Sequence, residues 1–199
     1  AAFKDLGLNS VYLPLQAEAF EDFLAFASVM GIEGASVTIP YKREALRCAE
    51  KIDSLAQSVG AINTLRKTSM GWIGINTDVD GFLAPLVKKV KNTSGDLKGI
   101  RASVLGAGGA ARAVVAGLAL KGARVTVHAR KTDSARELSD SFNVQNGQWP
   151  PHSGSWDILV NCTPLGSHGE VDKSPMQGSK LDGKLVYDLV YSPQETLLM

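Results

Sequence analysis

Ala102-Ser103-Val104-Leu105-Gly106-Ala107-Gly108-Gly109-Ala110-Ala111-Arg112 decides how the rest of the chain is read. An apolar run from Ile100 to Leu105 breaks at Gly106 and resumes as Ala110 to Leu120, a stretch of good helix formers that begins only after the glycines. This is a strand, a turn and a helix. Gly106 suits the tight turn, Gly108 allows the backbone to approach a pyrophosphate, and Ala111 stands where helix and strand must pack closely. The helix start offers N–H groups and a positive dipole end to phosphate. The same residues also make a glycine-rich strand–helix turn with no ligand, and the motif alone leaves both readings open.

Downstream, Arg124 to His128 alternates as a second strand and Thr132 to Phe142 forms a helix with Thr132 as its cap. A domain that prefers NAD needs an acidic residue about 20 residues beyond the glycines for the ribose 2′-OH. Here the strand ends His128-Ala129-Arg130-Lys131. Two cations without a carboxylate favour a 2′-phosphate, hence NADP, with Arg130 as the main clamp and Lys131 as helper. The alternative is a solvated basic loop. Val144 to Gly154 gives no secondary-structure signal, Trp156 to Val160 is an apolar strand, Ser167 to Lys180 is a long loop able to act as a lid, and Leu185 to Val190 is the last strand.

Upstream, Ala1 to Leu6 is a scrap of helix ending at Gly7, Val11 to Leu15 alternates as a strand, and Ala17 to Met30 carries apolar residues at helical spacing before Gly31. Ala35 to Ile39 is a second strand closed by Pro40, which completes a βαβ unit. Tyr41-Lys42-Arg43-Glu44 then opens a helix through about Glu50. Lys42 at the carboxyl end of a parallel strand stands where open α/β sheets bind ligands, or is a solvated first-turn lysine. Asp53 to Val59 is a helix ended by Gly60. Ala61 to Arg66 and Gly71 to Asn76 form a hairpin, and a helix follows Asn76-Thr77-Asp78 through about Val90. Capping that helix is the plain explanation of Asp78. Asn92 to Gly99 reads as a linker, dividing an α/β domain over residues 1–91 from a Rossmann-type parallel-sheet dinucleotide-binding domain over 92–199.

The chain has 199 residues, 44% of them hydrophobic, and a net charge of +1. That length supports one large domain or two modest ones. Scattered basic residues give no nucleic-acid footprint and no polybasic membrane patch, so small molecules are the expected partners. Cys48 and Cys162 have neither metal-ligand spacing nor a disulfide framework, which fits a reducing compartment such as the cytoplasm; no metal is expected. The apolar segments fall short of a membrane span.

Five blocks, in order, carry a family resemblance: Gly34-Ala35-Ser36-Val37-Thr38-Ile39-Pro40-Tyr41-Lys42, Gly60-Ala61-Ile62-Asn63-Thr64, Gly74-Ile75-Asn76-Thr77-Asp78-Val79-Asp80-Gly81, Asn161-Cys162-Thr163-Pro164-Leu165-Gly166, and Val186-Tyr187-Asp188-Leu189-Val190-Tyr191-Ser192-Pro193. With the glycine turn between the third and fourth, the chain resembles shikimate dehydrogenases and their quinate/shikimate relatives. The resemblance implies reversible, NADP-dependent reduction of 3-dehydroshikimate to shikimate. It gives Lys42 the role of donating or relaying the proton and stabilising negative charge on oxygen, and Asp78 that of orienting and tuning it. Such a pair suits hydride transfer to a ketone, which needs a proton at the developing alkoxide.

Thr38, Asn63 and Asn76 are expected to hydrogen-bond the ring hydroxyls or the Lys42/Asp78 pair, although turn chemistry also explains Asn and Thr at strand ends. By the same resemblance Tyr191 lies near the substrate, with core packing as its alternative. Gly106, Ala107, Gly108, Gly109, Ala110, Arg130 and Lys131 are expected to bind cofactor, and the resemblance adds Asn161 and Thr163 beside the nicotinamide ribose. Ala129-Arg130-Lys131 replaces the family's frequent Asn-Arg-Thr, and Ser36 replaces a frequent asparagine. Two other readings are an NAD-dependent quinate/shikimate dehydrogenase and an idle ligand-binding homologue. The family's opening strand, its serine-containing carboxylate loop and its closing helices with a substrate-binding glutamine are not in the 199 residues. Without that anchor weak or no activity is expected.

Overall fold

The computed structural model describes residues 2–90 and 97–199, which form two compact units, Ala1–Glu33 and Gly34–Met199. Part of the expected linker, residues 92–96, and the boundary drawn at residue 91 lie outside the described residues.

The first unit holds α1 (Ala2–Asp5) and α2 (Phe20–Met30). Ala19, extended, precedes α2, and the Asp22 carboxylate accepts its N–H at 3.2 Å. Gly31 ends the helix at φ 64°, a left-handed conformation that costs glycine little. The strand expected over Val11 to Leu15 does not form. All five residues are exposed, and alternation makes a strand only where a neighbour takes up its backbone hydrogen bonds, which no described residue does.

In the second unit, β1 (Gly34–Ser36), β2 (Lys51–Ile52), β3 (Thr64–Thr68) and β4 (Gly71–Ile75) form a sheet ordered β1-β3-β4-β2. The β3–β4 hairpin forms as expected, turning at Ser69-Met70. The expected βαβ unit does not: β1 pairs antiparallel with β3, and only β2 and β4 run parallel. Lys42 therefore follows a short antiparallel strand rather than a parallel one. The segment from Ile39 to Glu44 is a run of turns, and helix begins only with α3 (Ala45–Cys48). In α4 (Ser54–Val59), the Asp53 carboxylate caps the Ala56 N–H at 2.5 Å and Gly60 closes at φ 69°.

The second sheet is wholly parallel and ordered β7-β6-β5-β8-β9, from β5 (Arg101–Leu105), β6 (Arg124–His128), β7 (Gln145–Gly147), β8 (Ile158–Asn161) and β9 (Leu185–Asp188). After β5 the chain moves outward through β6 and β7, then returns to β5's other side. The strand order thus reverses beside β5, and in open α/β sheets ligands bind at that reversal. The residues Gln145 to Gly147, which gave no signal, form β7 by pairing with β6.

Two helices join the sheets. Helix α5 (Asp78–Val90) lies against α6 (Gly109–Leu120), and Gly117 is where they meet: a Cβ there would come within 3.2 Å of the Leu83 side chain and 3.3 Å of Val79. Helix α6 is buried almost all round, and one apolar core runs from Val59 and Ala61 through Val79, Leu83 and Leu86 to Val114, Val127 and Val160. Helix α7 (Thr132–Phe142) covers β6. Its N-cap is Lys131, which makes no side-chain cap bond, and Thr132 is already the first helical residue, so the expected threonine cap is not made.

Candidate active site

The hairpin and the start of α5 converge on one polar cluster. Asn76, only 2% exposed, donates from Nδ2 to the Ala61 carbonyl at 2.9 Å, and its Oδ1 accepts the backbone N–H groups of Asp78 at 3.0 Å and Val79 at 3.4 Å. Asn76 thus takes the capping role that the sequence offered to Asp78. The Asp78 side chain is released for other partners: Oδ2 accepts from Lys42 Nζ at 2.7 Å and Oδ1 from Asn63 Nδ2 at 2.7 Å.

Asn63 is held on both sides. Its backbone N–H donates to the Ile75 carbonyl at 3.2 Å, and its carbonyl accepts from Val37 at 2.7 Å. Its side-chain oxygen accepts from the Thr77 N–H at 2.9 Å and the Thr64 hydroxyl at 3.0 Å, while Nδ2 also donates to Thr77 Oγ1 at 2.9 Å. The carboxamide orientation is therefore fixed, with its N–H aimed at Asp78. Lys42 is tied to the same segment through its carbonyl, which accepts the Ile62 N–H at 2.8 Å. Side-chain exposures of 17% for Lys42 and 31% for Asp78 leave the pair reachable yet shielded.

The lysine also reaches the glycine turn, since a Cβ on Gly109 would lie 3.5 Å from Lys42 Cδ. Gly106 turns at φ 106° between two strand ends, donating its N–H to the His128 carbonyl at 2.8 Å; a Cβ there would stand 3.2 Å from the Cys162 backbone. Only glycine meets both demands without strain. Gly108, the N-cap of α6, makes no side-chain cap bond, and open space surrounds its Cβ position. Ala107, Gly108 and Gly109 line a cleft of about 210 Å³ with Arg43, Arg112 and Glu137.

Asn161 and Thr163 border the turn, but with their polar groups largely engaged by protein. Asn161 is fully buried, donates to Leu165 O and Asp188 Oδ1, and accepts the Thr163 N–H and hydroxyl. Thr163 Cγ2 would touch a Cβ on Gly106 at 3.2 Å. Burial pushes the Cys162 thiol well above its ordinary range, with the Asp188 charge adding to the effect. Ala110 lies in the first turn of α6. Arg130 and Lys131 are exposed at the end of β6. Thr38 is exposed beside the turn that carries Lys42, its carbonyl accepting the Tyr41 N–H at 2.9 Å. Tyr191 is 89% exposed and so does not pack in the core; Tyr187, earlier in the chain on β9, does so against Phe82, with ring centroids 5.2 Å apart.

Sequence reasoning missed Thr77 and Arg112. Thr77 was visible only as the middle of Asn76-Thr77-Asp78. Arg112 stands one turn into α6, where its Nε donates to Val59 O at 3.0 Å and its guanidinium lies 5.5 Å from the Phe142 ring centroid. It bridges the end of α4, close in sequence to Asn63, to α6. Burial, then repulsion from Arg43, weakens its hold on its proton, and Glu137 opposes this.

Residues 1–65 match the family model for the shikimate dehydrogenase substrate binding domain. A shikimate dehydrogenase (NADP(+)) of Nostoc sp. is 37% identical over 98% of this chain and 73% of its own length. Among solved structures, a shikimate dehydrogenase in complex with NADP+ superposes with a TM-score of 0.86 at 33% identity, covering 99% of this chain and 72% of that one. The Thermus thermophilus shikimate 5-dehydrogenase in complex with NADP(H) and shikimate gives 0.79 at 33% identity, covering 96% and 72%. With its glycine turn, its Lys42–Asp78 pair and this extent of similarity, the chain belongs to the shikimate dehydrogenase family.

Proposed function

We propose that this chain is an NADP-dependent shikimate dehydrogenase, interconverting 3-dehydroshikimate and shikimate. The observation that carries the reading is the Lys42–Asp78–Asn63 cluster, whose lysine side chain lies against Gly109 at the start of α6. The glycine turn fits a dinucleotide diphosphate: Gly108 is open, the helix start is uncapped by any side chain, and two guanidiniums face the adjoining cleft. When bound, the nicotinamide supplies hydride to the ring carbonyl carbon or takes it back.

Lys42 Nζ donates the proton that the ketone oxygen needs as negative charge develops on it, and regains one from solvent through its exposed fraction. Asp78, with Oδ1 held by Asn63, keeps the ammonium in place, and Thr77 keeps Asn63 in place. Asn76 acts through the Asp78 backbone. Thr38 and Asn63 border the ring hydroxyls, and Tyr191 supplies an exposed phenol to the same ligand. Arg130 and Lys131 meet the 2′-phosphate, supported by the cofactor that the Nostoc relative's name carries. Asn161 acts by holding the Thr163 loop beside Gly106.

In this reading residues 1–91 form the substrate side and 92–199 the cofactor side. The cysteine pattern supports a cytoplasmic place, and among the described residues no helix is long and apolar enough to cross a membrane. Nicotinamide absorbance, followed with shikimate or quinate crossed with NADP+ or NAD+ on the longest version of the protein, tests the proposal. Growth of the reduced band with shikimate and NADP+ supports it, and turnover only with quinate and NAD+ replaces it.

A further inference from the structure

Arg43 follows Lys42 directly, yet its side chain faces the cleft at the glycine turn. Its partner is Glu137 on α7, with Nη2 to Oε1 at 3.1 Å and side-chain exposures of 64% and 58%. So exposed a pair contributes little to stability and separates easily. Among the described residues lining the cleft, Arg43 and Arg112 are cations and Glu137 the one carboxylate. Arg112 is anchored by Val59 O, whereas among the described residues Arg43 is held by the exposed Glu137 side chain. A diphosphate at the start of α6 brings two negative charges into this cleft and outcompetes one carboxylate for the exposed guanidinium.

We propose that Arg43 is a cofactor-binding residue that leaves Glu137 for the dinucleotide diphosphate, so that the substrate-side turn carrying Lys42 closes a contact with the cofactor. The proposal rests on the dinucleotide reading above and adds to it a phosphate ligand from outside the glycine turn. It predicts effects of opposite sign for the two partners, which a structural surface pair would not give.

Calorimetric titration of NADP+ and NAD+ into wild type, Arg43→Gln and Glu137→Gln is the test. Arg43→Gln is expected to weaken both nucleotides about tenfold, the loss of one charge-assisted hydrogen bond to phosphate. Glu137→Gln is expected to tighten both about two- to fivefold, because it frees Arg43. Thermal midpoints without nucleotide should stay close to wild type. Unchanged affinity in Arg43→Gln, changes of the same sign in both variants, or weakening confined to NADP+ would each overturn the diphosphate role. A wild type that binds neither nucleotide would instead overturn the dinucleotide reading itself.

Discussion

Replacing Asn76 by alanine should damage both stability and turnover, because one side chain joins two elements of the site. It donates to the Ala61 carbonyl and caps α5 through the Asp78 and Val79 N–H groups. Loss of the cap costs about 1 kcal/mol, and leaving the carbonyl of the fully buried Ala61 without its donor costs about 1–3 kcal/mol more. The expected total is roughly 2–4 kcal/mol in urea unfolding, with an unchanged slope. The Asp78 backbone, no longer held, should let the carboxylate drift from Lys42, lowering kcat in the material that remains folded. Asn76→Asp separates the contributions: it retains an acceptor for the cap but sets a carboxylate against the Ala61 carbonyl, so it should also destabilise. An Asn76→Ala protein within about 0.5 kcal/mol of wild type would refute this description of the hairpin–helix junction.

Asp78→Asn keeps a polar group beside Asn63 but removes the 2.7 Å ion pair, and should lower kcat by about 10- to 100-fold with little change in the affinity for NADP+; steady-state kinetics and nucleotide titration check it. Gly106→Ala places a Cβ at φ 106° and 3.2 Å from the Cys162 backbone, so about 1–3 kcal/mol of stability and much of the nucleotide affinity should be lost, read by unfolding and by calorimetry. Burial lowers the pKa of His128 below its ordinary value, with the His152 charge adding to this and the 2.6 Å bond between Nδ1 and Gln148 O opposing it; Nε2 pairs with Ser103 Oγ at 3.1 Å. The unfolded chain takes up this proton near pH 6.5 while the folded imidazole does not, so stability falls as pH drops below that value until the folded ring itself protonates. Urea midpoints at several pH values should show this slope in wild type and a shallower one in His128→Gln.

The parallel half of the fold was legible because its signals are local. Arg124 to His128 and Thr132 to Phe142 form strand and helix at the expected bounds, and Gly106 turns where the apolar run breaks. The other half depends on pairing. Val11 to Leu15 alternates like a strand but has no described neighbour, whereas Gln145 to Gly147 shows no pattern and becomes a strand because β6 offers it an edge. The antiparallel direction of β1 is set by Leu65 and its neighbours across the ladder, which periodicity within residues 35–39 does not encode.

Within the site, Lys42 and Asp78 were identifiable from chemistry and resemblance together, and they do meet. That Asn76 caps and Asp78 does not was hidden, since both residue types cap helices. The roles of Arg43 and Arg112 depend on which carbonyl or carboxylate lies across from them, and spacing along one helix says nothing of that.

The most direct measurement is single-turnover absorbance of the nicotinamide band for wild type and Lys42→Met with shikimate and NADP+, alongside nucleotide affinity and thermal midpoint. Methionine keeps an apolar stem where Lys42 Cδ lies against the Gly109 position. The expected result is reduction of NADP+ by wild type and a loss of about 10²- to 10⁴-fold in Lys42→Met, with folding and nucleotide binding nearly intact. A Lys42→Met protein that turns over at the wild-type rate would contradict the assignment of the proton-bearing group at the centre of this site.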